Sequence, residues 1–252
     1  CEMIKRLVLI FLFIPFLAFP QKEIPYQVGE YSAFDVSFGA IIVGHAELEI
    51  VEEKLIDSTS TFHIVGKGKT AYFFDWFFKV RDVYETFLDT SKLLPIKFIR
   101  DINEGPYSKK QNYFFHHSDS IVKHNDTAYK IPFNSQDMLS ALFYARTFNK
   151  EEVKKTSSFF VPIFMDEENY FLEVSYLNNE VIETEFGKVD CMVFKPKMQE
   201  GRVFEDGEEM KIWISDDKNH LLMKVETKIW SGTIKAVLVD YKELKFPLSI
   251  IQ

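Results

Sequence analysis

Apolar and polar residues alternate one for one along most of this chain. Between Gly29 and Gly39, Phe34, Val36 and Phe38 interleave with Ala33, Asp35 and Ser37. Between Gly44 and Glu52, Ala46, Leu48 and Ile50 interleave with His45, Glu47 and Glu49. The rhythm returns near the C-terminus. There Met210, Ile212 and Ile214 alternate with Glu209, Lys211, Trp213 and Ser215, and Met223, Val225 and Ile229 oppose Lys224, Glu226 and Lys228. A period of two sends one set of side chains to each face of a strand, and a sheet with one buried and one wet face is an antiparallel habit. Turn residues fall between the runs: Asp57-Ser58, Asp89-Thr90-Ser91, Asn103-Glu104-Gly105, Asn178-Asn179, Gly187-Lys188, Asp216 to Asn219 and Ser231-Gly232. The pattern predicts about ten strands joined mostly by short hairpins.

Two segments break the rhythm. Asn134-Ser135-Gln136-Asp137 reads as a helix start, with Asn134 as cap and Asp137 well placed in the first turn. The helix would run to about Phe148 and carry Met138, Leu139, Leu142 and Phe143 on the face that packs on the sheet, with Leu142 buried beneath it. The second segment, Ala71 to Val80 (AYFFDWFFKV), is apolar almost all round, with Asp75 and Lys79 at helical spacing. It predicts either a short buried helix or a strand covered on both faces. Neither element is long enough to organise a parallel sheet, so α/β architectures are set aside. Lys150 to Ser158, polar and charged, is the one plausible seam in an otherwise continuous domain.

The N-terminal stretch has a pattern of its own. Lys5 and Arg6 precede an apolar run from Leu7 to Phe19, closed by Gln21-Lys22-Glu23. A cationic head, a greasy run short for a bilayer span and a polar exit are the layout of a secretory signal peptide. Pro15 within the run argues against a permanent membrane helix. The expected division is a signal peptide over residues 1–21 and a single β-rich domain over 22–252, exported, with the periplasm as destination and no stable membrane span after cleavage. Met3 reads as the start, although Cys1 and Glu2 precede it. An acylated lipoprotein cysteine follows such a run, whereas Cys1 comes before it. Cys191 is then the one cysteine left, expected to behave as a small buried apolar residue, so stability must come from burial instead of disulfides.

Composition agrees with that reading. The chain is 46% hydrophobic and 27% charged, which is globular, and its 26 Phe and 11 Tyr suit pleated surfaces. A formal charge of −8 with no dense basic stripe is a poor match to nucleic acid or anionic head groups.

Candidate chemistry falls away on inspection. Gly66-Lys67-Gly68-Lys69-Thr70 ends like a P-loop, but the motif needs a glycine where His63 stands. His116, His117 and His124 cluster in sequence, yet neighbours on a strand point to opposite faces, so His116 and His117 do not readily share a metal. No Gly-x-Ser-x-Gly elbow occurs, and carboxylates are too plentiful for any pair to single itself out. The sequence therefore nominates no catalytic residue, no metal and no cofactor, and predicts a protein that is not an enzyme. What remains is the aromatic segment. Phe73, Trp76 and Phe77 fall at i, i+3 and i+4, sharing one face of a helix that would look into the hollow of a curved sheet. There they would either line a cavity for an acyl chain or, the plainer reading, fill the core between helix and sheet.

Several blocks of the chain carry a resemblance. Gly29-Glu30-Tyr31-Ser32, Val43-Gly44-His45-Ala46, Lys79 to Thr86, Arg100 to Gly105, Gln136 to Leu142, Phe186-Gly187-Lys188, Lys211 to Asp217 and Gly232-Thr233-Ile234 are similar to a bacterial family of exported proteins known only as domain of unknown function 3108. The likeness is distributed over nearly the whole mature chain. The family has no established activity and so supplies no functional residues. It implies an architecture like the open barrel of periplasmic lipoprotein carriers. Pattern and resemblance together predict a mainly β fold, a curved antiparallel sheet forming an incomplete barrel with one or two helices on its concave side. Two functions are expected of it: a cell-envelope protein that binds or carries a hydrophobic or acylated ligand, or a non-enzymatic structural subunit with an envelope protein as partner.

Overall fold

A computed structural model describes residues 23–198 and 209–251. The predicted signal peptide lies outside the described residues. Fourteen strands form one antiparallel sheet in the order β8-β7-β6-β5-β4-β3-β2-β1-β14-β13-β12-β11-β10-β9. They are β1 (Tyr31–Phe38), β2 (Ile41–Ile56), β3 (Thr59–Thr70), β4 (Arg81–Asp89), β5 (Pro95–Glu104), β6 (Tyr107–His116) and β7 (Ile121–His124), followed by β8 (Thr127–Lys130), β9 (Ser158–Met165), β10 (Glu168–Thr184), β11 (Gly187–Met198), β12 (Glu209–Ser215), β13 (Leu222–Ile229) and β14 (Gly232–Lys242). Two α-helices, α1 (Met138–Arg146) and α2 (Lys150–Thr156), lie between the edge strands β8 and β9 in sequence. The sheet is antiparallel throughout, as the period-two pattern predicts, and forms an open barrel with β8 and β9 at its edges, as the resemblance implies.

The turns follow local chemistry. Asp57 and Ser58 take positive φ in the β2–β3 hairpin, and Asp89 accepts from the backbone N–H of Ser91 and Lys92 between β4 and β5. Asn178-Asn179 is not a turn. Both residues pair with β11 just after a bulge at Leu177, and the Asn179 amide donates to Asp190 and, at 2.8 Å, to Asp216, so the strand continues through them. The short β7–β8 hairpin and the β9–β10 turn raise the count above ten.

The gap between β8 and β9 is bridged instead of paired. Gln136 N–H donates to Pro162 O at 2.8 Å, and Phe164 N–H donates to Gln136 O at 2.9 Å. Those bonds commit the backbone of Gln136 to β9, so α1 starts after Asp137. Asp137, not Asn134, is the cap, accepting from the N–H of Leu139 and Ser140. From the β9–β10 turn, Asp166 reaches across to Arg100 and Lys109 at 2.9 and 2.8 Å. Its neighbour Glu167 accepts from Gln111 and from the Tyr113 hydroxyl. Both turn residues have positive φ, as a tight hairpin requires.

Residues 150–156 are no seam. They form α2, capped by Asn149, with Glu151 and Glu152 in its first turn and Lys154 and Lys155 in its last. Helix α1 divides the interior. Leu139 and Phe143 enter a core with Tyr26, Ile64, Phe98, Tyr113 and Phe164. Gly66 on β3 lies beneath the helix, where a Cβ would touch the Leu139 side chain at 3.6 Å and crowd Leu48 of β2 at 3.3 Å. The sheet is buried on both faces along β11: Cys191 and Val193 join a second core with Phe34, Trp213, Met223 and Leu238, while Met192 and Phe194 face α2. Cys191 is fully buried, and burial pushes its thiol up to about 12.

Candidate binding site

On its second face α1 packs Ala141 against Val161, Ile163 and Met165 of β9 and leaves a hollow beside them. Between α1, α2 and strands β9 to β12 lies a cavity of about 350 Å³. Its walls are Leu142 and Ala145 of α1, Val153 of α2, Val161 and Met165 of β9, Val174 of β10, Met192 and Phe194 of β11, and Ile212 and Ile214 of β12. Four methionines, Met138, Met165, Met192 and Met210, contribute to it. Unbranched thioether side chains adapt to irregular contents at small cost. One end lies by Met165, Pro196 and Met210, towards the β9–β10 turn, and the other by Arg146, Lys150 and His220.

The polar groups at that second end are already satisfied. Buried Arg146 donates to both carboxylate oxygens of Glu30, at 2.5 and 3.1 Å, and to the carbonyl of Asn219. His220 Nδ1 donates to the Arg146 carbonyl at 2.6 Å. Lys150 and Lys154 bond Asp216 at 3.2 and 2.8 Å. Burial works to raise the Asp216 carboxyl, but hydrogen bonds from Lys154, Asn179 and Lys150 outweigh it and hold it at about 2. Arg146 and Glu30 cancel, and Lys150 and Lys154 are both tied to the one carboxylate of Asp216, so the charged groups are confined to this end and the apolar body of the cavity suits an apolar guest.

The start of α1 is polar and sealed. Asp137 is fully buried and accepts from the Thr86 hydroxyl of β4 at 2.6 Å as well as from its own helix. Burial raises its carboxyl to about 6 against the hydrogen bonds of Ser140 and Thr86, which favour the ionised form.

The aromatic segment lies elsewhere. Ala71 to Val80 is neither a buried helix nor a covered strand. It makes one 3₁₀ turn, Tyr72–Phe74, in the loop between β3 and β4. Phe73, Trp76 and Phe77 are 74%, 81% and 78% exposed, and none of them borders the cavity. Two causes are visible. Helix α1 already occupies the hollow, and Asp75 is bound to Arg81 and to Thr70 at the loop base, which holds the rings outside. The expectation that these rings face the hollow is thus corrected. The residues that do line it were missed because strands such as Cys191 to Phe194 are apolar on both faces, and alternation does not say which face meets a cavity. Their signal in the sequence was the methionines, scattered over α1, β9, β11 and β12.

The histidines do not converge either. His117 and His124 bond the backbone carbonyls of Pro95 and Asn112. Gly66 to Thr70 is the end of β3, leading directly into the aromatic loop.

An open antiparallel barrel with an apolar, helix-covered cavity is the class that fold and site define. The family described as "Protein of unknown function (DUF3108)" matches residues 33–239, and the chain belongs to that family. Among solved structures, the chain is similar to a beta-barrel-like protein of domain of unknown function DUF1849 from Brucella abortus. They share 9% identity and a TM-score of 0.59, over 88% of this chain and all of that one. It also matches a candidate lipoprotein from Parabacteroides distasonis at 12% identity and a TM-score of 0.38, over 86% of this chain and 97% of that one. A candidate exported protein with a YmcC-like fold from Bacteroides fragilis matches at 11% identity and a TM-score of 0.32, over 87% and 98%. No curated protein matches the chain. No helix among the described residues is long and apolar enough to cross a membrane.

Proposed function

We propose that this is an exported cell-envelope protein that holds one neutral, hydrophobic or acylated ligand in the cavity between α1, α2 and β9 to β12. One observation carries the reading: a volume of about 350 Å³ walled by methionine, aliphatic and phenylalanine side chains, with the charged groups confined to one end and each bonded to a partner there. Ligand sites are typically roughly 300–1,000 Å³ and mostly apolar, and even a smaller apolar cavity of roughly 150 Å³ stays dry and takes apolar guests. The apolar N-terminal run and its cationic head support export.

Mass spectrometry of organic extracts from gently purified protein tests the proposal, together with titration of an apolar fluorescent probe. A stoichiometric lipid in the extract, or saturable probe binding that Leu142→Trp abolishes in a folded protein, supports it. A clean extract with no probe binding overturns it and leaves the structural-subunit reading.

A further inference from the structure

We propose that the rim of the barrel around the β3–β4 loop docks on the surface of a lipid bilayer, with its aromatic rings in the head-group layer. Four connections meet there, one of them the β5–β6 turn, whose Gly105 N–H donates to Lys79 O at 2.7 Å. The β1–β2 turn follows Phe38, the β3–β4 loop spans residues 71–80, and the β13–β14 turn holds Trp230 and Ser231. Backbone bonds make them one surface: Ala71 N–H donates to Val43 O at 2.9 Å, and Gly39 N–H donates to Thr233 O at 3.0 Å. The side chains at these tips face water. Tyr72 and Trp230 are each 93% exposed, Phe73, Trp76 and Phe77 nearly as much, and Ile41 60%. Apolar surface of this extent on a soluble protein marks a partner.

Charge selects the partner. In a chain of formal charge −8, residues 38–43 and 229–234 carry no charged side chain, residues 71–80 carry only Asp75 and Lys79, and the β5–β6 turn adds the half-buried Glu104. Asp75 is cancelled in place by Arg81, whose guanidinium spans both carboxylate oxygens at 3.0 and 2.5 Å, and by the Thr70 hydroxyl at 2.6 Å. What remains outward is a set of Trp, Tyr, Phe and Ile side chains with the exposed cation of Lys79. Tryptophan and tyrosine with flanking lysine are the residues of membrane interfaces, because the rings combine an apolar body with a polar handle. Rings this exposed stand in water instead of in a groove, so they suit a soft planar partner. The same loop base that cancels Asp75 also holds the rings out. This inference does not rest on the cavity being occupied, although the cavity's Met165–Met210 end points towards the same rim.

Vesicle flotation of protein isolated from the envelope fraction tests it, comparing wild type with Phe73→Ser/Trp76→Ser/Phe77→Ser, which carries the same N-terminus. The substituted rings are exposed, so the fold should survive, and circular dichroism checks that. Wild type should float with zwitterionic phosphatidylcholine vesicles in low and high salt, and the triple variant should lose at least about tenfold in partitioning. Trp76 and Trp230 fluorescence should shift blue and be quenched by brominated lipid, while Trp213, 4% exposed, is unaffected. The proposal is overturned if wild type does not float, if both forms float equally, or if binding needs anionic lipid and collapses in salt. It is also overturned if sedimentation shows wild type as a dimer that the triple variant dissolves, because the rim is then a contact between copies of the chain.

Discussion

Glu30 and Arg146, 116 positions apart, close a two-pronged ion pair whose side chains are each only 4% exposed. The rings of Tyr26 and Phe143 lie 5.1 and 5.2 Å from the guanidinium carbon, so the pair is walled by aromatics and joins the chain before β1 to the end of α1. A charge in such a place is tolerable only while its partner stays. Glu30→Ala should therefore cost about 3–5 kcal/mol in urea denaturation, because Arg146 is left buried and uncompensated. The double change Glu30→Leu/Arg146→Met should recover most of that loss. Losses that simply add would show that the two side chains act independently.

The two faces of α1 should respond differently to truncation. Phe143 is buried in core, and Phe143→Ala should cost about 3–5 kcal/mol. Leu142 is half-buried on the cavity side, so Leu142→Ala should fall at or below the lower end of the roughly 2–5 kcal/mol seen for buried leucine. It should also admit a bulkier probe. Equal losses at the two positions would contradict the division of the interior.

Asp137 gives a pH dependence of definite sign. Its carboxyl is raised to about 6 from the ordinary 3.8, so between those values the native state holds a proton that the unfolded chain has released. The stability this proton supports is complete below about 4 and is lost as pH rises through about 6, by about 3 kcal/mol at roughly 1.36 kcal/mol per unit. Asp137→Asn keeps an acceptor for the cap and removes the titration. The stability of wild type relative to this variant should accordingly decline from pH 4 to 7. A constant difference would mean that the carboxyl titrates as in the unfolded chain.

The latch at Asp166 should matter locally more than globally. Burial pushes this carboxyl up, but Lys109 and Arg100 together hold it below the usual carboxylate range. The stabilisation from its charge is present at neutral pH and lost as pH falls through that depressed value. Asp166→Asn keeps the positive-φ turn, which asparagine tolerates, and should cost only about 1 kcal/mol because the pair is partly solvated. Amide exchange in β9 and β10 should speed up in this variant while that in β2 and β3 is unchanged. Uniform acceleration would show that the latch supports the whole fold.

How far the sequence could be read differs from element to element. The β1, β2, β12 and β13 runs were legible because a half-buried strand writes its own period of two, and Asp57-Ser58, Gly187 and Ser231-Gly232 were legible because turn geometry is a local demand. Asn134 was mistaken for the helix cap because both it and Asp137 are good caps. The choice was made by the bonds of Gln136 to Pro162 and Phe164, residues distant in sequence. The Lys150 to Ser158 stretch gave no sign of a helix and read only as a plausible seam, because its buried contact, Val153 against β9 to β12, is a single residue in a charged helix.

By itself the sequence determined an antiparallel, mainly β chain, with one helix between Asn134 and about Phe148 and an apolar N-terminal run. Tertiary structure alone decided which apolar residues are core, which border a cavity and which stand in water. The aromatic loop and the β11 strand are about equally apolar. The first is held outside by the Asp75–Arg81 clasp, while the second is covered on both faces by elements from other parts of the chain. Hydrophobicity states what a residue gains by burial, and only the arrangement of distant segments determines whether there is anything to bury it against.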